Sequence, residues 1–217
     1  MTQRAMSGER DPARILAELR AGNERFVRGQ TVFAHEGAEW RKQLVAGQQP
    51  FATILGCSDS RVPIELVFDQ GFGDLFVIRV AGNVMAPSVA GSVEYAVEHL
   101  RTPVVVVLGH EQCGAVTAAL AQLPAASGAT PPTASSEHEP ASLQSLLREI
   151  KTGLAEACLP ESPPERRLKR AVELNVRWTL KQLRTLPRRE GVAHAERTQY
   201  IGAVYELDTG RVRFLED

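Results

Sequence analysis

The chain has 217 residues, a formal net charge of −1 and 24 % charged residues. That balance excludes the basic surface of a nucleic-acid-binding protein or of a protein held on acidic membranes. No apolar stretch approaches the roughly 20 residues needed to cross a bilayer, and segment 1–10 lacks the apolar centre of a signal peptide. Three cysteines form no even disulfide framework, so we expect a globular protein of the reducing cytoplasm, with no membrane and no nucleic-acid partner.

The first fifty residues predict a helical arm. Asp11 followed by Pro12 is typical of a helix start, a capping side chain and then proline at the first helical position, and the apolar pattern continues to about Arg28. A second short helix is predicted over 38–46. Both helices carry apolar stripes without a partner nearby in the sequence, so they must pack on the body of this subunit or of another.

From Phe51 onward, short apolar runs alternate with helical patterns, which indicates a mainly parallel sheet. The run 104–108 is apolar at every position, as expected for a strand covered on both faces. The closing pair of strands reads as an edge hairpin. The predicted strands are 51–56, 75–80, 104–108, 201–207 and 212–215, and the predicted helices are 63–68, 88–100, 114–120, 141–157 and 164–186.

We therefore expect an α/β fold with a central sheet of about four parallel strands plus one antiparallel edge strand, flanked by helices. The whole chain, 1–217, is predicted to be a single domain. Its parts are the N-terminal helical arm (1–50), the α/β core with the candidate site (51–120), a flexible loop rich in Ala, Ser, Thr and Pro (121–140), and the C-terminal helices with the edge hairpin (141–217).

Two cysteines and a histidine lie just past the ends of two predicted strands. Cys57 follows the run 51–56, and His110 and Cys113 follow the run 104–108. Because the carboxyl ends of parallel strands meet at one edge of a sheet, these side chains are expected to converge there. They supply three of the four ligands of a tetrahedral zinc site, and the open position leaves room for a reactive water. The alternative is a pair of apolar cysteines buried in the core.

Asp59 and Arg61 follow the first cysteine closely and belong beside such a metal. A carboxylate that accepts a hydrogen bond from a zinc-bound water can fix the orientation of that water. A neighbouring guanidinium would keep the carboxylate ionised and off the metal, through a lowered pKa and bidentate contacts. The alternative is a salt bridge that only stabilises the turn.

Cys-Ser-Asp-Ser-Arg at 57–61, followed by His110-x-x-Cys113, resembles the β-class carbonic anhydrases. The resemblance covers most of the chain and is weaker only in the loop 121–140 and the helices behind it. It implies one Zn²⁺ per subunit, held by Cys57 and by the His-x-x-Cys pair. It also implies a lyase that hydrates CO₂ reversibly to bicarbonate and a proton through zinc-bound hydroxide, with Asp59 and Arg61 orienting the fourth ligand.

The resemblance also implies a substrate pocket. Gln48 matches the glutamine that hydrogen-bonds the substrate, and Phe76 and Tyr95 match its aromatic walls. Considered without the family, Phe76 and Tyr95 would be core residues and Gln48 a surface residue. In the family this pocket lies at a dimer interface that the N-terminal helices embrace, which implies a homodimer or a dimer-based homotetramer.

One position departs from part of the family. Members that hold an inhibitory, non-catalytic bicarbonate carry tryptophan three residues before the first cysteine, where this chain has Ile54. Arg79 and Tyr205 match the other positions of that pocket. We therefore expect the always-open form of the enzyme, in which Asp59 pairs with Arg61 and does not bind zinc.

The sequence leaves three other functions open. The same site could hydrolyse COS or CS₂, or the zinc could stabilise a module without turnover, although a structural site usually has four protein ligands. A thiol-redox protein is disfavoured because the chain has no Cys-x-x-Cys. No role is assigned to Cys158. The candidate proton carriers, by residue type alone, are His35, His99, His138 and His194.

Overall fold

The computed structural model describes residues 11–123, 139–156, 163–186 and 197–216, and its centre is one five-stranded sheet. In chain order the strands are β1 (Ala52–Gly56), β2 (Leu75–Arg79), β3 (Val104–His110), β4 (Gln199–Tyr205) and β5 (Val212–Phe214). Their spatial order is β2-β1-β3-β4-β5, in which the first four strands are parallel and β5 runs antiparallel to β4. The predicted parallel sheet with an antiparallel edge strand is confirmed.

The predicted helices are present, with ends that differ by a few residues. They are α1 (Pro12–Val27), α2 (Ala38–Leu44), α3 (Ile64–Val67), α4 (Pro87–Glu98), α5 (Gly114–Ala121), α6 (Ala141–Glu156) and α7 (Pro164–Arg184). Residues Ala81–Asn83 form a single 3₁₀ turn after β2, called here the 81–83 turn. Most of the predicted loop 121–140, together with Cys158, His138 and His194, lies outside the described residues.

The sheet separates two apolar clusters, because successive residues of a strand point to opposite faces. On one face, residues such as Ile54 and Val106 pack against α1 and α3. On the other face, residues such as Leu55 and Val107 pack against α4, α5, α6 and α7. All seven residues of β3 are buried, as predicted for a strand covered on both sides.

The two N-terminal helices behave differently. Helix α1 begins at the predicted cap, where Asp11 accepts a hydrogen bond from the Ala13 N–H, and it packs on its own subunit through Ile15 and Leu19. The amide of the buried Asn23 donates to the Val67 and Gly210 carbonyls. These hydrogen bonds join α1 to α3 and to the turn before β5. By contrast, none of the seven described residues of α2 is buried.

The strand that carries the site histidine is longer than the sequence predicts. The prediction ends it at Leu108, but β3 continues to His110, which pairs with Tyr205 of β4. Gly109 interrupts the apolar run because α7 lies against it, and a Cβ there would meet the Val176 side chain at 2.6 Å. His110 is therefore held in the sheet ladder and does not lie in the loop that follows. Across the described residues, no helix combines the length and apolar character needed to cross a bilayer.

Candidate metal centre

The carboxyl ends of β1 and β3 bring Cys57, His110 and Cys113 together. One ligand atom from each residue lies within 4.8 Å of the others, and all three residues are buried. Cys57 follows β1 directly, and Cys113 is the N-cap of α5. Gln112 adopts a positive φ of 51°, which turns the chain sharply so that Cys113 returns toward His110. The three residues are called here the metal cluster.

The imidazole of His110 is oriented for coordination. Its Nδ1 lies 2.8 Å from the Glu111 carbonyl oxygen, so Nδ1 carries the proton and donates, which leaves the lone pair on Nε2. Nε2 is buried and has no hydrogen-bond partner in the part of the chain that the structure describes. A buried polar atom without a partner costs free energy, and a cation at this position would explain it.

The two thiols of the cluster influence each other's ionisation. A hydrogen bond with Cys113 is the main cause that lowers the pKa of Cys57, against the opposing effect of burial. The pKa of Cys113 is raised, because its sulfur faces that of Cys57 and because it is buried. Two thiolates at a distance of 4.0 Å repel each other, and a divalent cation between them removes that penalty.

This set of donors fits zinc. Two cysteine sulfurs and one imidazole nitrogen are preferred ligands of Zn²⁺, and three protein ligands leave the fourth position open. Zn–S bonds of about 2.3 Å in a tetrahedron place the two sulfurs about 3.8 Å apart. The observed separation of 4.0 Å is close to that value.

Asp59 and Arg61 form a bidentate pair at the rim of the cluster. The Arg61 guanidinium donates from Nε to Oδ1 of Asp59 at 2.9 Å and from Nη2 to Oδ2 at 2.8 Å. These hydrogen bonds hold the pKa of Asp59 well below its usual range. Oδ2 lies 3.7 Å from Nε2 of His110, so the ionised carboxylate faces the position that a metal would occupy. Within the pair, the Asp59 side chain is 17 % exposed and the Arg61 side chain is 50 % exposed.

Comparisons with known proteins agree on one family. A family model described as "Carbonic anhydrase" matches residues 52–212. Carbonic anhydrase 2 of Mycobacterium tuberculosis is 51 % identical over 113 residues, which is 52 % of this chain and 55 % of that protein. The carbonic anhydrase of Pseudomonas aeruginosa is 36 % identical over 187 residues, 81 % of this chain and 77 % of that protein. This chain belongs to the β-carbonic anhydrase family.

Solved structures agree with that assignment. The β-carbonic anhydrase CafA of Aspergillus fumigatus has a TM-score of 0.68 and 27 % identity, covering 94 % of this chain and 90 % of that one. Tetrameric β-carbonic anhydrases of Sordaria macrospora give a TM-score of 0.68 and 26 % identity, covering 94 % of this chain and 98 % of that one. The chain spans about half the length of the mycobacterial carbonic anhydrases that it matches, 55 % of each. The predicted family and fold are confirmed.

Two contacts that hold Cys57 and its loop were not predicted. Arg79 donates from Nε to the Cys57 carbonyl at 3.0 Å and from Nη2 to the Asp59 carbonyl at 2.7 Å, so it holds the loop that carries both residues. From the sequence, Arg79 was matched only to the pocket of the inhibitory, non-catalytic bicarbonate. The Gly82 N–H donates to the Cys57 Sγ at 3.3 Å. The available signal was a glycine two residues after the predicted strand 75–80, and its φ is 68°.

The predicted pocket residues do not reach the metal cluster of their own chain. Gln48 is exposed in the loop before β1. Phe76 pairs with Thr53, four residues before Cys57, which separates Phe76 from the cluster by about 13 Å along the strands. Tyr95 is 47 % exposed on α4, and its ring centroid lies 6.2 Å from that of Phe76.

Of the predicted proton carriers, two lie among the described residues. The His35 Nδ1 contacts the Asp74 carboxylate at 2.8 Å, and Asp74 precedes β2 directly. His35 therefore lies at the amino end of β2, at the sheet edge opposite the metal cluster. His99 follows α4 and packs on the Tyr95 ring, with the ring centroids 5.1 Å apart. Neither histidine contacts the cluster of its own chain.

Proposed function

We propose that this chain is a zinc-dependent carbonic anhydrase, a lyase that catalyses the reversible hydration of CO₂ to bicarbonate and a proton. The observation that carries the proposal is the buried metal cluster, with an unpartnered His110 Nε2 among the described residues, beside a carboxylate locked by arginine. Membership of the β-carbonic anhydrase family supports the same activity.

The metal cluster would hold the zinc, and bound zinc supplies a Lewis acid that lowers the pKa of water so that a nucleophile is available at neutral pH. Asp59 Oδ2, ionised at neutral pH, accepts the hydrogen bond of the attacking oxygen and so aims a lone pair at the carbon of CO₂. Arg61 keeps Asp59 ionised and occupies both carboxylate oxygens, which favours the open form over coordination of Asp59 to zinc.

The substrate half of the site would come from a second copy of the chain. Gln48, Phe76 and Tyr95 are remote from the cluster of their own subunit, so as pocket residues they must serve another subunit. We therefore propose a homodimer, or a tetramer built from dimers, with the active site at the subunit interface. The nearby exposed apolar surface supports this arrangement, since Phe72 is 47 % exposed and Val45 is 87 % exposed.

Two further expectations belong to this proposal. The chain would be one domain, because helices from both halves of the sequence pack on one sheet. The protein would work in a reducing compartment, the cytoplasm, because the adjacent Cys57 and Cys113 sulfurs bind a cation only while they are reduced.

The deciding experiment is stopped-flow CO₂ hydration during titration of metal-free protein with Zn²⁺. We expect the rate to rise linearly and to reach a plateau at one zinc per chain. COS and CS₂ are assayed on the same preparation, and a preference for either of them would replace the proposed substrate. Full CO₂ hydration by zinc-free protein, or loaded protein without any turnover, would overturn the proposal.

A further inference from the structure

Helix α7 carries two polar side chains on a face that is otherwise apolar. Asn175 and Thr179 are one helical turn apart, so they share a face, and each is at most 1 % exposed. The neighbouring Val172, Val176 and Leu180 pack in the core against the sheet. Burial of an amide and a hydroxyl among such residues is unfavourable unless hydrogen bonds compensate for the lost water.

Both side chains direct their hydrogen bonds to the 81–83 turn. The Asn175 Nδ2 donates to the Gly82 carbonyl at 2.7 Å, and the Thr179 Oγ1 donates to the Asn83 carbonyl at 3.1 Å. Two consecutive peptide groups are thus clamped by a helix that lies more than ninety residues further along the chain. The Asn83 N–H closes the turn on the Val80 carbonyl at 2.9 Å.

The same turn contacts a metal ligand. The Gly82 N–H points at the Cys57 Sγ, 3.3 Å away. Gly82 has a φ of 68°, and a Cβ at this position would meet the Ile150 Cδ1 at 2.8 Å, so no other residue fits without strain. The Gly82 N–H and the Gly82 carbonyl belong to adjacent peptide groups that meet at the Gly82 Cα. Because glycine itself restricts the rotation between these groups little, hydrogen bonds to the carbonyls from α7 help to hold the turn in the conformation that points the N–H at the sulfur.

We propose that Asn175 and Thr179 are positioning residues for the metal centre: they hold the 81–83 turn so that the Gly82 N–H donates to the Cys57 sulfur. This inference rests on the proposed function, because it presumes a metal on that sulfur. A hydrogen bond to a coordinating thiolate draws electron density from the sulfur and tunes the metal. Two thiolates cancel the charge of a divalent cation and so reduce its Lewis acidity. The hydrogen bond from the Gly82 N–H withdraws electron density from one thiolate and restores part of that acidity.

The test uses the full chain loaded with Co²⁺ in place of Zn²⁺. Asn175→Leu keeps a similar volume and removes the donor. We expect the thiolate-to-cobalt charge-transfer band to move to lower energy, because the Cys57 sulfur without its hydrogen bond gives up electron density more readily. In parallel, zinc affinity, measured by competition with a chelator, should fall about 10- to 100-fold.

Two controls separate positioning from stability. Asn23→Leu removes another buried asparagine that donates to two backbone carbonyls, but on the opposite face of the sheet. It should lower the melting temperature without moving the band. Thr179→Val should move the band in the same direction as Asn175→Leu, but by a smaller amount. Thr179→Ser keeps the hydroxyl, so its band should stay at the wild-type energy.

An unmoved band in Asn175→Leu, with a melting temperature lowered as in Asn23→Leu, would show a purely structural role and overturn the inference. If Asn175→Leu does not fold, the comparison of Thr179→Val with Thr179→Ser decides the question alone. A wild-type cobalt protein without any thiolate band would contradict the metal centre itself. A normal wild-type band that neither Asn175 nor Thr179 affects would contradict only the positioning role.

Discussion

The two ends of the parallel strands differ in the kind of surface that they build. At the carboxyl edge the metal cluster is buried, Arg79 and the β-ladder hold its backbone, and the 81–83 turn donates to the Cys57 sulfur. At the opposite edge, called here the amino edge, lie α2, the loop 45–51 and the turn 69–74. Phe72 and Val45 expose large apolar side chains there.

The residues of one chain complete the interactions at the carboxyl edge, whereas the amino edge is left exposed. A buried polar site needs every partner within the same fold, because unpaired groups there are costly. An exposed apolar edge instead indicates a contact with another molecule. Under the proposed function, each subunit provides the metal half of one site and the substrate half of another.

Loss of a cluster ligand should have the largest effect. Cys113→Ser removes one of three ligands, so we expect bound zinc to fall far below one per chain and CO₂ hydration to drop on the order of 1000-fold or more, because unassisted water is a poor nucleophile at neutral pH. Metal analysis and stopped-flow kinetics measure both quantities. Cys158→Ser is the matched control and should keep zinc and rate. A Cys113→Ser protein with normal zinc content would contradict the cluster.

The carboxylate at the rim should matter for rate and little for metal content. Asp59→Asn is nearly isosteric but places an amide donor where an acceptor is required, so we expect kcat/KM to fall about 100-fold with one zinc retained. Glu24→Gln, which breaks an exposed ion pair with Arg28, should leave kcat/KM within about twofold. Wild-type kcat/KM in Asp59→Asn would remove Asp59 from the mechanism.

The metal half was predictable because it depends on local patterns. Apolar runs such as 104–108 mark the strands, and topology alone places Cys57 beside Cys113. The end of β3 was misjudged because Gly109 breaks that run. The glycine is explained by the close approach of the Val176 and Val172 side chains of α7, which the sequence does not show.

Other parts of the site depend on contacts that no local pattern records. The hydrogen bond from Asn175 to Gly82 spans 93 residues of sequence. The polar i,i+4 pair on the apolar face of α7 was visible in the sequence, but its partner was not. The family resemblance predicted Gln48 as a pocket residue, and no local pattern indicates which subunit's pocket it would join.

Mixed dimers test whether the two halves of one site come from different subunits. Asp59→Asn damages the metal half and Gln48→Ala the substrate half, so neither parent dimer has an intact site. If the halves come from different subunits, a purified dimer of one chain of each kind regains one intact site and about half of wild-type activity. Two different affinity tags isolate this species. If Gln48 acts within its own chain, the mixed dimer shows only the average of its parents, and the shared site is wrong.

Disruption of the amino edge should weaken association and leave the metal half intact. Phe72→Ser keeps the backbone contacts of residue 72 to His35 and Trp40 but removes an exposed ring. Because burial of such a ring contributes about 1.5–3 kcal/mol, we expect the dissociation constant of the dimer to rise at least about tenfold in sedimentation experiments. Leu143→Ser, at an exposed apolar position on α6, is the control and should not affect it. Equal weakening by both variants would mean that the amino edge is not the specific contact surface, whereas loss of zinc in Phe72→Ser would show that the two edges are not independent.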